Sequence, residues 1–173
     1  MQRIYYIFLS TIVVLSIFIT VFSSENYSIS ASFNINKEYY WPTPGFMGIS
    51  SKFGYRNKPT NGASTYHKGI DILAYQGSSV YAIADGVVNF AAFDNSGGYM
   101  IVIKHEENIK SSYAHLDSKM YVNIGDNVKK GELIGRIGPK YIEDGRLNGA
   151  TTGVHLHLGI QANGEYVDPL KLF

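Results

Sequence analysis

The chain has 173 residues, with 15 Lys plus Arg against 14 Asp plus Glu, and no cysteine. A net charge of +1 offers none of the basic excess that grips nucleic acid. Without cysteine there is no disulfide, no thiolate metal site and no cysteine nucleophile, so any metal must be held by His and carboxylate.

Residues 4–22, IYYIFLSTIVVLSIFITVF, carry no charge. As a helix this run reaches roughly 28 Å, close to the thickness of a bilayer core. Arg3 precedes it and Glu25 follows, and the positive-inside tendency directs what comes after it out of the cytoplasm. Residues 1–24 are therefore expected to form an N-terminal hydrophobic helix. It is either a signal peptide cut near Ser23 or a single-span membrane anchor. Both readings export the remainder to a periplasmic or extracytoplasmic space, anchored or secreted. The lack of cysteine excludes a lipoprotein anchor. Residues 25–40 are polar and rich in Ser and Asn, as expected of a linker. Residues 41–173 have room for one domain.

From Trp41 onward, short apolar runs alternate with Gly and Asn turns. Residues 80–83 (VYAI), 86–91 (GVVNFA), 99–104 (YMIVIK), 112–116 (SYAHL), 132–137 (ELIGRI), 154–160 (VHLHLGI) and 165–167 (EYV) read as strands. Their spacing predicts an all-β antiparallel sandwich or open barrel. Residues 125–131 (GDNVKKG) predict a turn that aims Val128 inward and leaves its charged neighbours wet.

Five histidines occur, and four stand where chemistry is possible. His67-Lys-Gly-Ile-Asp71 sets an imidazole and a carboxylate either side of a glycine, in a loop entering a strand where Ile70 packs inward. In His155-Leu-His157, a strand turns both imidazoles to one face and Leu156 to the other, into the core. The pair makes chemical sense if one ring binds a cation and the other handles protons. The same alternation places Tyr113 and His115 on a shared face. His105 closes a strand beside two glutamates and is expected to be structural or exposed. Two histidines and one aspartate would make a zinc site with an open position for water, and the remaining histidines could serve as base and transition-state stabiliser in amide hydrolysis.

In these motifs the sequence resembles the lysostaphin/LytM-type zinc metallopeptidases, peptidase family M23. The likeness runs from Phe53-Gly-Tyr-Arg56 through His67-x-x-x-Asp71, Tyr113-Ala-His-Leu116 and Thr152-Gly-Val-His-Leu-His157 to Asp168-Pro-Leu170. It implies the compact antiparallel fold of that family, a duplicated hybrid motif, with one zinc per chain held by His67, Asp71 and His157. His155 would then be the general base, and His115 would assist the same water or stabilise the oxyanion. The implied activity is endopeptidase cleavage of peptidoglycan, in a stem peptide or a cross-bridge, with no nucleic-acid partner and with membrane contact through an uncleaved N-terminal segment. Val154 departs from a proline common before the His pair, and Leu158-Gly159 from a common aromatic-acidic pair. Residues 139–150 (PKYIEDGRLNGA) are longer than the usual turn and are expected to form a groove wall.

Two other functions compete. Non-catalytic relatives that act as envelope scaffolds or activators of other wall hydrolases usually lose a zinc-site residue, and all five positions are present here. A cytoplasmic phosphotransferase or lipoyl carrier would share the glycine-bracketed corner, but neither the hydrophobic run nor the zinc-type cluster.

Overall fold

The computed structural model describes residues 38–59 and 63–173; the expected hydrophobic helix and most of the expected linker lie outside them. The strands are β1 (Gly48–Ser51), β2 (Gly54–Tyr55), β3 (Tyr66–His67), β4 (Ile70–Leu73), β5 (Ser79–Tyr81) and β6 (Gly86–Asp94), followed by β7 (Gly98–Lys104), β8 (Ile109–Leu116), β9 (Asn127–Val128), β10 (Leu133–Arg136), β11 (Leu156–Ala162) and β12 (Glu165–Val167). Among the described residues a single 3-10 turn, Pro169–Lys171, follows the last strand. The all-β expectation holds. Eight strands form one antiparallel sheet in the order β1-β4-β11-β8-β7-β6-β9, with β12 also paired to β11; β10-β5 and β2-β3 make two small pairs.

Alternation builds the core. Ile70 and Ile72 of β4, Ile101 and Ile103 of β7, and Leu156, Leu158 and Ile160 of β11 are fully buried. They pack against Val80, Ile83, Ile134 and Ile137 from the segments around β5 and β10. Asp71 stands between the two isoleucines on the opposite face of β4, and β11 does the same with Leu156 and His157. Each of these strands therefore offers one side to the core and the other to a groove. Val128 is buried while Asp126, Lys129 and Lys130 are exposed, as the 125–131 turn predicts.

Strand pairing brings distant segments together. In the register, His157 lies opposite Asp71 of β4 on one side and Ala114 of β8 on the other. Gly54 of β2 lies opposite His67 of β3. The first described residues also pack: Tyr40 donates its N–H to the Ile83 carbonyl (2.8 Å), and Trp41 meets Phe46 and Phe173 edge to face at 5.1 and 4.9 Å.

The shared face expected for Tyr113 and His115 is not what forms. Tyr113 is wholly in the core, and its hydroxyl accepts from the Ile83 N–H at 2.9 Å. Between the pairs Tyr99↔Leu116 and Ile101↔Tyr113, β8 spends one residue more than β7, which is a β-bulge. His115 takes up the bulge with φ 61°, and this turns its ring to the groove side.

Candidate metal centre and groove

Three side chains converge at the middle of the sheet. Nε2 of His67, Oδ1 of Asp71 and Nδ1 of His157 stand 3.1, 2.9 and 3.0 Å apart pairwise. Atoms bound to one zinc about 2.0–2.1 Å away at tetrahedral angles are separated by roughly 3.3 Å, so this triangle suits one small cation. The hydrogen-bond chemistry agrees. Nδ1 of His67 lies 2.8 Å from the Lys52 carbonyl, which can only accept, so the ring hydrogen sits on Nδ1 and Nε2 presents its lone pair. Lone pairs of one imidazole and one carboxylate, with a second ring nitrogen between them, therefore face a common point. Such an arrangement is favourable only with a proton or cation there. His67, Asp71 and His157 are the residues that could hold it.

The second carboxylate oxygen is committed elsewhere. Nη1 of Arg56 donates to Asp71 Oδ2 at 3.0 Å and also to the Ser51 hydroxyl. Burial alone would raise the Asp71 carboxyl. The surrounding imidazoles of His155, His157 and His67 more than offset this and hold it well below the usual carboxylate range. Gly69 permits the close approach of the strands: a Cβ there would lie 2.3 Å from the Leu158 carbonyl oxygen and 2.9 Å from the His157 ring.

Two further imidazoles border the same point. His155 donates from Nδ1 to the Gly153 carbonyl at 2.9 Å, and its Nε2 stands 3.5 Å from Asp71 Oδ1. His155 stands just ahead of β11 and His157 within it, and both rings reach Asp71 Oδ1. His115 donates from Nδ1 to the Asn148 carbonyl at 2.7 Å, which leaves its Nε2 lone pair to the groove. The His115 and His155 rings stack edge to face with centroids 4.7 Å apart. Burial pushes the His115 imidazole down to about 3, and His155 and His157 push it the same way. Burial also lowers His157, against the pull of Asp71. His105 is buried away from this cluster, bonded to the Asp85 carbonyl and to Ser111, and serves the packing of β8.

Sequence reasoning missed two residues. Arg56 lay in a quoted motif, but nothing in its spacing revealed that it reaches Asp71. Asn148 is completely buried. Its Oδ1 accepts from the Tyr99 N–H at 2.9 Å and its Nδ2 donates to the Leu116 carbonyl at 2.8 Å, so it clasps both sides of the bulge. Only the turn-forming Asn148-Gly149 dipeptide hinted at it. The expectation that residues 139–150 form a groove wall is corrected: of these, only Ala150 lines the groove. The rest folds back through the Tyr141↔Leu147 bridge, with Arg146 seated 5.0 Å above the Phe93 ring. The groove encloses about 670 Å³, with the five site residues on its floor and Ser50, Tyr66, Lys68, Met100 and Tyr166 among its walls.

Comparison with known proteins fits this geometry. The model of peptidase family M23 matches residues 65–169. The chain is 37% identical over 127 residues to the DD-carboxypeptidase/endopeptidase Mpg of Neisseria meningitidis, covering 73% of this chain and 27% of that protein. It thus spans about a quarter of the length of that curated relative. A zinc-containing peptidase from Vibrio cholerae superposes with a TM-score of 0.65 at 29% identity, over 79% of this chain and 40% of that one. The catalytic domain of lysostaphin from Staphylococcus simulans gives 0.60 at 29% identity, over 71% and 89%. With the family model matched across most of the described domain, the chain belongs to peptidase family M23.

Proposed function

We propose that the protein is a zinc-dependent endopeptidase that hydrolyses peptide bonds of bacterial peptidoglycan outside the cytoplasmic membrane. The observation that carries this reading is the convergence of five side chains. Three donor atoms lie within 2.9–3.1 Å of one another, and two more imidazoles offer Nε2 to the same place. A scaffold would have no use for the second pair. Its similarity to a DD-carboxypeptidase/endopeptidase and to a zinc-containing peptidase supports it.

His67, Asp71 and His157 would hold the zinc, with Arg56 orienting the Asp71 carboxylate. Zinc, when bound, supplies the Lewis acidity that acidifies a water and polarises a carbonyl. His155 takes the proton of the attacking water at Nε2, and the Gly153 carbonyl steadies the imidazolium through Nδ1–H. The same ring then returns a proton to the leaving nitrogen. His115 is neutral and has spent its hydrogen on Asn148, so its Nε2 accepts. That suits it to orienting the water rather than donating to an oxyanion.

The test separates chemistry from metal binding. His157→Ala should lose zinc and hydrolysis together. His155→Ala should keep zinc while hydrolysis falls by roughly 10²–10⁴-fold. Zinc content by elemental analysis and new peptide termini by mass spectrometry read both. Full activity in both variants would end the enzyme reading, and loss of zinc from His155→Ala alone would reverse the roles within the pair.

A further inference from the structure

The groove is unevenly charged. Among the described residues, Asp71 is the one acidic residue in its lining, and its oxygens are engaged by Arg56, His67 and His157. Lys68 stands in the same lining, next to His67, and is exposed. Its Nζ lies 5.0 Å from the centroid of the Tyr166 ring, which comes from β12 and borders the same groove. Among the described residues no carboxylate pairs with Lys68. The neighbouring Ser50, Ser51, Ser64 and Ser112 carry no charge. The groove therefore presents one cation without a protein counter-ion, beside the proposed reaction centre. The tyrosine face attracts the ammonium and narrows the conformations the long side chain must give up on binding.

Building on the peptidase reading, we propose that Lys68, held over Tyr166, is a carboxylate-recognising position of the groove. Peptidoglycan stem peptides carry free carboxylates near their cross-links, and glycine bridges carry none. The protein then prefers segments with a free carboxylate over the same segments amidated, and over uncharged bridges. A lysine this exposed gives modest selectivity. A surface ion pair corresponds to a preference of roughly twofold to fivefold, and salt weakens it because the screening length falls to about 3 Å at 1 M.

The experiment compares two cross-linked peptides that differ only in whether the diamino acid bears a carboxylate or an amide, using the zinc-loaded full chain. The acid-to-amide ratio of kcat/KM should be roughly twofold to fivefold at low salt and shrink at 1 M. It should fall toward one in Lys68→Met, persist in Lys68→Arg and drop below one in Lys68→Glu. Equal kcat/KM for the two peptides, or a preference that survives Lys68→Met, overturns the proposal. If neither peptide is cut, the peptidase reading fails. Fluorescence anisotropy of the two labelled peptides then decides the role of Lys68, and equal Kd values reject it.

Discussion

At the scale of single residues, the site depends on imidazoles held neutral by burial. His115 is 7% exposed, and its ordinary value of 6.5 is brought down to about 3. As pH falls below 6.5 the unfolded chain takes up a proton there that the folded chain refuses. Stability therefore declines from about pH 6.5 toward pH 3 and is undiminished above that window. The lowered His157 acts in the same direction. Asp71 acts differently: its depressed carboxyl contributes stability that is present above the ordinary carboxylate range and lost only in stronger acid. For metal-free protein, the free energy of unfolding should fall by about 1 kcal/mol per pH unit or somewhat more between pH 6 and 4.5. His115→Gln should reduce that slope. Urea titrations at several pH values measure it, and an unchanged slope in the variant would show that His115 is not held neutral by the fold. Such single-residue behaviour was only partly legible in the sequence. The residue types and their grouping at 67–71 and 155–157 pointed to a metal site, because a strand's two-residue period fixes where alternate side chains go. The partner that orients Asp71, Arg56, was not readable, since it comes from a different strand pair and no local rule measures that distance.

At the scale of elements, β11 and β8 behave oppositely. β11 is regular: Leu156 and His157 fall where alternation puts them, and His155 stands just ahead of the strand. β8 carries an extra residue, so alternation sends Tyr113 to the core and leaves His115 to the left-handed turn. The bulge is imposed from outside the strand by Asn148, which bonds Tyr99 on β7, Leu116 on β8 and, through its own carbonyl, His115. Gly98, at φ 68°, makes room for it, since a Cβ there would stand 2.2 Å from Asn148 Oδ1. Asn148→Ala would leave a buried N–H and a buried carbonyl without partners, at a cost of roughly 2–4 kcal/mol. It should also lower hydrolysis more than zinc content, because His115 is held through this loop while the candidate metal ligands are not. Denaturant midpoints and elemental analysis of the purified variant check both parts. A midpoint like that of the parent would mean that the loop positions nothing.

At the scale of the whole molecule, the strand-rich pattern and glycine turns were enough to read an all-β antiparallel domain, because each strand advertises itself locally. The order β4-β11-β8 that assembles the site was not readable, because it joins residues 67–71, 115 and 155–157 through pairings far apart in sequence. The same scale decides where the domain works. Two independent arguments point outside the cytoplasm. Peptidoglycan lies there, so the proposed hydrolase needs export. The uncharged run at residues 4–22 follows Arg3, the orientation in which positive charge stays inside. The absence of cysteine makes an oxidising compartment harmless to the domain. A reporter enzyme that becomes active only in an oxidising, external space, fused after Phe173 of the full chain, should therefore be active. Deleting residues 4–22 should abolish that activity while leaving the fusion in the soluble cytoplasmic fraction. A reporter that works in the cytoplasm with the apolar run intact would remove the export reading and, with it, access to the proposed substrate.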